Sequence, residues 1–213
     1  MLQTEERNYK LAKNQYEGYQ YIDLDNLYTY KNSTVLINKQ NILDPNLAKN
    51  NEHLHVSKRL ADLYIQPVLV YSTDDIQKIH KYLFQDVYSW AGQYRKVNIS
   101  KSGNPFMSIQ SFNSAEEYIN DLLNTYHHNI NTKEYIIRSL AKILDSQNFF
   151  HPFREGNGRT QREVIRVLAL SKGYRAQIRV SDDDIIYNTY MDGTVYGDLP
   201  KLENLFELIL EKI

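Results

Sequence analysis

The sequence predicts a mainly α fold, a helical bundle interrupted by one short β-hairpin. Three features point to it. Apolar residues recur three and four apart through much of residues 54–170, the spacing of one helix face. Ser or Thr stands ahead of several of these runs, where its side chain can cap the exposed N–H groups of a helix start. Residues 95–107 break the pattern: Val97-Asn98-Ile99-Ser100 alternates apolar with polar and Gly103-Asn104-Pro105 supplies a turn, which together read as a hairpin over 97–107.

In chain order, residues 1–50 mix polar and aromatic side chains without a clear period. They read as a lead-in packed on the core, with two short helices and a turn at Asp44-Pro45-Asn46. A domain over 51–213 follows. Leu54, Val56, Leu60 and Leu63 mark a helix ended by Pro67. His53 and His55 fall on opposite sides of it and read as surface histidines. Ser72 caps a helix through Ile76, Ile79, Leu83 and Phe84, and Trp90 then anchors the chain in the core. After the hairpin, Ser114 caps a helix through Ile119 and Leu123, ending near His127 and His128, which read as exposed. Thr132 caps another through Ile136, Leu140 and Leu144. A helix with Val164, Ile165 and Leu168 stops at Gly173. An edge segment at 174–181, a helix near 183–191 and a last helix from Pro200 to Ile213 complete the chain.

Composition narrows the function. A chain of 213 residues with ordinary apolar content can bury a real core. A formal charge of −1 gives no reason to expect nucleic acid or an anionic membrane as partner. There are no cysteines, so disulfides and thiolate metal sites are excluded, in keeping with a cytoplasmic setting. No apolar run approaches the about 20 residues that span a bilayer, and the first ten residues lack the apolar core of a secretory signal. The 18 tyrosines read as amphipathic filler of helix contacts.

The chemistry concentrates in HPFREGNGRTQR, residues 151–162. Gly156 and Gly158 flank Asn157 at the start of a helix. Unpaired N–H groups and the positive end of the helix dipole face an anion there, and the missing side chains let a bulky phosphate approach. Arg159 and Arg162, three apart, share a face suited to phosphate oxygens. Glu155 would repel bare phosphate but suits a divalent cation that phosphate also coordinates, which points to Mg²⁺ and a nucleotide. His151 supplies a base able to take a proton near neutral pH. Phe153 reads as the anchor of the loop, and Arg166 as part of an outer salt bridge. A Gly-Asn-Gly triplet alone is commonly only a turn; the conjunction of base, carboxylate, glycines and two arginines is what points to a site.

This stretch resembles the signature of the Fic family, His-x-Phe-x-(Asp or Glu)-Gly-Asn-Gly-Arg-x-x-Arg, at every defined position. Residues 28–44, the segment DVYSWAGQYR and the segment VYGDLPKLENLF resemble further parts of the family. The resemblance implies a Fic fold and transfer of AMP from ATP to a Ser, Thr or Tyr hydroxyl of a target protein. In that reading His151 is the general base, Glu155 the Mg²⁺ ligand, and Gly156, Asn157 and Gly158 the anion nest. Arg159 and Arg162 hold the outer phosphates, Arg162 at the γ-phosphate. The hairpin at 97–107 becomes a flap that docks an extended target segment by strand addition, with Lys101 and Phe106 reaching the nucleotide or clamping the target. Asn188 and Tyr196 are candidate adenine contacts.

Many members of the family silence themselves with a helix carrying Ser or Thr, three residues, Glu, then Gly or Asn. Outside the signature, Glu17-Gly18 and Glu203-Asn204 follow Lys13 and Leu199 by four positions, so the pattern is incomplete. A separate antitoxin supplying the glutamate beside Arg162 is therefore expected, and the end at Ile213 favours a resident cytoplasmic toxin, with an effector delivered into another cell's cytoplasm as the alternative. The same fold also accommodates removal of AMP, another donor such as UTP or CDP-choline, or a non-catalytic ATP-binding adaptor. The intact His151 disfavours the adaptor.

Overall fold

A computed structural model describes residues 19–21, 27–101, 104–129, 132–178 and 184–213. Its elements, in chain order, are β1 (Tyr19–Tyr21), α1 (Pro45–Ile65), α2 (Thr73–Phe84), β2 (Ile99–Lys101), β3 (Asn104–Pro105), α3 (Phe112–His128), α4 (Lys133–Phe150), α5 (Asn157–Ser171), β4 (Tyr174–Arg175), α6 (Asp184–Tyr196), α7 (Leu199–Ile209) and β5 (Glu211–Lys212). The mainly helical class expected from the apolar spacing is the one observed.

The helix α4 is the axis of the bundle and packs against α3, α5, α6 and α7. Its sequence explains this position: Ile136, Ile137, Leu140, Ala141, Ile143 and Leu144 are all buried, so more than one face is apolar and each must be covered. Burying a side chain such as Leu140 or Leu144 is worth about 1.5–3 kcal/mol. Thr132 caps its start by accepting from the Tyr135 N–H at 3.3 Å. At the far end His151 takes the left-handed conformation (φ 42°, ψ 57°) and turns the chain into the motif.

A second anchor is α2, where Ser72 and Asp75 form a reciprocal capping box. This helix packs on α1 and α5. A buried pair ties α5 to α1: Arg166 donates to both carboxylate oxygens of Glu163, at 2.8 and 2.6 Å, and to the Leu63 carbonyl at 2.9 Å. Arg166 is thus buried rather than part of an outer salt bridge.

Several boundaries depart from the sequence expectation. The segment Asp44-Pro45-Asn46 starts α1: the Asp44 carboxylate accepts from the Leu47 N–H at 2.8 Å and Pro45 occupies the first helical turn. Consequently α1 runs through position 50, where the lead-in was expected to end, and no helix precedes it among the described residues. On that helix Leu54 faces solvent. Ser111, not Ser114, stands at the N-cap of α3. His127 is half-buried, its ring bonded to the Val70 carbonyl at 2.7 Å. The last helix stops at Ile209, and β5 pairs antiparallel with β4.

The hairpin pairs Ser100 with Pro105 and Lys101 with Asn104, so Asn104 and Pro105 belong to a strand rather than to the turn. It also gains a third strand. The short β1 pairs antiparallel along the other edge of β2, Tyr19 opposite Lys101 and Tyr21 opposite Ile99.

Candidate active site

The motif residues 151–162 connect α4 to α5, and local chemistry folds them. Asn157 closes the loop on itself: its side-chain oxygen accepts from the Phe153 N–H at 2.9 Å and its amide nitrogen donates to the Phe153 carbonyl at 2.7 Å. That leaves the Asn157 contribution to an anion to its backbone. The first intrahelical bond of α5 runs from the Thr160 N–H to the Gly156 carbonyl at 3.1 Å, so the N–H groups of Asn157, Gly158 and Arg159 precede it and line the helix mouth. Gly156 is left-handed (φ 82°) at the N-cap. Its N–H donates to the Glu155 carboxylate at 2.9 Å, so the nest already accommodates an anionic group. A Cβ at Gly158 would stand 3.2 Å from Arg162 Nη1, so this glycine leaves room for the arginine.

His151 is buried, with its ring stacked on Phe106 at 3.7 Å between centroids and 14° between planes. Nδ1 lies 3.1 Å from the Asn148 carbonyl. A carbonyl only accepts, so Nδ1 carries the proton and Nε2 is the basic nitrogen. Phe106 therefore braces the base, and it lies where the hairpin returns to the core, its N–H bonded to the Ile99 carbonyl at 3.1 Å.

Arg159 and Arg162 differ in surroundings. Arg159 forms ion pairs with Glu52 of α1 and, at 3.4 Å, with Glu155, and lies over the Phe84 ring at 4.7 Å. Burial disfavours its cation, but Glu52 and Glu155 outweigh that and hold its pKa above the ordinary value. The other oxygen of Glu52 accepts a short hydrogen bond from the Tyr88 hydroxyl. Arg162 sits over the Tyr190 ring at 5.9 Å, and no carboxylate among the described residues forms an ion pair with it. Tyr190 is thus the α6 residue that meets the motif, whereas Asn188 and Tyr196 on the same helix are exposed. The side chain of Lys101 lies outside the described residues. Phe153 is fully buried, as an anchor should be. A cavity of about 480 Å³ opens beside Glu52, Glu155 and Arg159, walled by Thr34, Val35, Leu36, Asn38 and α1.

Two buried residues tie the motif to its supports. Arg95 donates to the carbonyls of His151 (2.9 Å), Val97 (2.7 Å) and Met107, and its own N–H donates to the Pro152 carbonyl at 2.8 Å. One guanidinium thus joins both roots of the hairpin to the base. Burial pushes its pKa down to about 10. His80 of α2 is completely buried, stacked on Phe153 at 3.8 Å and on Phe84 at 4.7 Å. Its Nδ1 accepts from the Gly92 N–H at 2.8 Å and its Nε2 lies 3.0 Å from the Glu155 carbonyl. Burial pushes its pKa down to about 3. Sequence reasoning missed Arg95, His80 and Glu52. A lone cation or histidine whose partners are backbone carbonyls 56 or 75 positions away leaves no local signal.

The description "Fic/DOC family" belongs to the family model that matches residues 70–169. The chain is 40% identical over 106 residues to protein adenylyltransferase VbhT of Bartonella schoenbuchensis, covering 49% of this chain and 22% of that protein. It is 31% identical over 154 residues to the probable protein adenylyltransferase y4lH of Sinorhizobium fredii, covering 68% of this chain and 76% of the relative. Among solved structures, BepC of Bartonella tribocorum with bound AMPPNP superposes with a TM-score of 0.77 at 21% identity, over 88% of this chain and 98% of that one.

Proposed function

The chain belongs to the Fic/DOC family, and from that premise we propose that it transfers AMP from ATP to a hydroxyl of a target protein. The observation that carries this reading is the buried His151, whose Nδ1 proton is committed to the Asn148 carbonyl beside a helix mouth built for anions. His151 Nε2 takes the proton of the target hydroxyl. The hydroxyl oxygen forms a bond to the α-phosphorus as the bond from that phosphorus to the bridging oxygen breaks, and pyrophosphate leaves. The backbone N–H groups of Asn157, Gly158 and Arg159 face the charge that develops on the phosphate oxygens. Arg162 holds the outer phosphates.

Glu155 is a single carboxylate, and no cluster of three metal-binding side chains exists among the described residues. That donor set suits Mg²⁺, which keeps waters and takes further ligands from phosphate rather than from an all-protein cage. When bound there, the metal neutralises phosphate charge.

The target docks on the hairpin at 97–107 by strand addition. β3 is two residues long and includes Pro105, which has no N–H to donate. The better edge is that of β2, which Tyr19–Tyr21 holds in the structure, so docking there exchanges the chain's own strand for the target's. Arg162 has no internal carboxylate partner among the described residues, which supports inhibition by a glutamate from a separate protein. No helix among the described residues is long and apolar enough to cross a membrane.

The test is transfer of label from α-³²P-ATP to lysate proteins, with His151→Ala beside the unmodified chain. A labelled protein that depends on His151 is the expected result. Equal labelling by His151→Ala refutes the base assignment, and ATP binding without labelling refutes transfer of AMP from ATP.

A further inference from the structure

We propose that His80 is a positioning residue that aims the Gly156 N–H into the anion site by holding the Glu155 carbonyl from behind. The inference rests on the nucleotide-binding reading of the loop. A nitrogen that accepts the Gly92 N–H carries no proton, so Nδ1 is bare and Nε2–H donates to Glu155. Both ring nitrogens are thereby satisfied in one tautomer. The Gly92 side of this contact is itself fixed, because Gly92 (φ 80°) lies so close to α2 that a Cβ would stand 2.7 Å from Lys81 Cβ.

The consequence follows from the planarity of the peptide bond. In a trans peptide the carbonyl of Glu155 and the N–H of Gly156 point to opposite sides of the chain. Anchoring the carbonyl inward on α2 therefore turns the Gly156 N–H outward, where it meets the Glu155 carboxylate at 2.9 Å. Packing does not require this arrangement. The ring lies between Phe84 and Phe153, where a phenylalanine could stack but would leave the Gly92 N–H and the Glu155 carbonyl without their present partner. What the imidazole adds is a pair of hydrogen bonds, one accepted from Gly92 and one donated to Glu155, and only the second touches the motif loop.

Two substitutions separate that bond from the packing. Counted from Cβ, the Gln amide nitrogen sits at the position of Nε2 and the Asn oxygen at the position of Nδ1. His80→Gln can therefore donate to Glu155, whereas His80→Asn can accept from Gly92 but falls short of the loop. Both lose the stacked ring, so both are expected to melt at lower temperature. Calorimetric titration with ATP and Mg²⁺ is expected to show at least tenfold weaker binding for Asn than for Gln. Equal losses, or a greater loss for Gln, overturn the proposal. Long-range ¹H–¹⁵N spectra of the unmodified protein give a second decision that needs neither variant to fold: a neutral His80 protonated on Nε2 supports it, and a proton on Nδ1 overturns it. Neither readout uses AMP transfer, so an inactive but ATP-binding chain would refute the proposed reaction and leave this inference standing.

Discussion

Gly156→Ala gives a direct test of how the loop is built. Two costs combine. The left-handed backbone (φ 82°) penalises a Cβ by about 1–2 kcal/mol. The added carbon would also stand 3.0 Å from Phe84 Cε1 and closer still to Cζ and Cε2. That ring has little room to retreat, with His80 stacked on it at 4.7 Å and the Arg159 guanidinium 4.7 Å from its centroid. Overpacking of this kind costs about 1–3 kcal/mol. The sum is about 2–5 kcal/mol, and for a chain of this length each kcal/mol moves Tm by about 2–4 °C. Thermal unfolding should therefore show a drop of about 4–20 °C. Phe84→Leu separates the two costs: in the double variant the steric part disappears and the backbone part remains. A coupling energy of about 1–3 kcal/mol between the two positions is expected from a double-mutant cycle. An unchanged Tm for Gly156→Ala, or strict additivity with Phe84→Leu, would refute this account of the loop.

Other predictions follow from the same geometry. Arg95→Met strips the donors from the carbonyls of His151, Val97 and Met107; it should cost at least about 3 kcal/mol by denaturant titration, since hydrogen bonds to a charged group are worth about 1.5–3 kcal/mol each. In the assay it should raise KM for the target as well as lower kcat. Burial raises the Asp145 carboxyl above its ordinary pKa, so ionisation works against folding once pH rises past the unfolded value. Asp145→Asn should accordingly raise Tm at pH 7, with the gain fading towards pH 3, where both states are protonated. Removing residues 2–26 deletes β1 and should lower KM for the target severalfold in a steady-state transfer assay; an unchanged KM would show that the target does not use the β2 edge. Arg162→Ala should weaken ATP binding while leaving AMP binding almost unaltered, as measured by calorimetry.

Legibility in the sequence tracked the range of the interactions involved. The caps at Thr132 and Ser72 are local, and both stand where the sequence places them. Asp44-Pro45 was ambiguous for a physical reason: an acidic residue followed by proline suits a turn and a helix start equally. The strands β1 and β5 are three and two residues long and exist only through partners far along the chain, so no alternation could reveal them, whereas β4 falls at the start of the edge segment expected at 174–181. Within the site, the glycines and His151 carry their chemistry in their own residue types. The function of Glu52 becomes visible only when α1 is laid against α5 and its carboxylate reaches Arg159. His127 read as solvent-facing because nothing in its neighbourhood announces the Val70 carbonyl.

The Arg95 staple also bears on what such an enzyme can recognise. Because the hairpin roots and the His151 carbonyl share one guanidinium, a target docked on the hairpin as proposed would have its backbone tied to the base through a single side chain. A target strand that slips by one residue turns its side chains to the opposite face, and no motion of the base alone can follow it. Under the proposed docking, selection would work as a ruler does, by the offset between an extended backbone and one projecting oxygen, so unrelated proteins that share that offset would serve as interchangeable substrates.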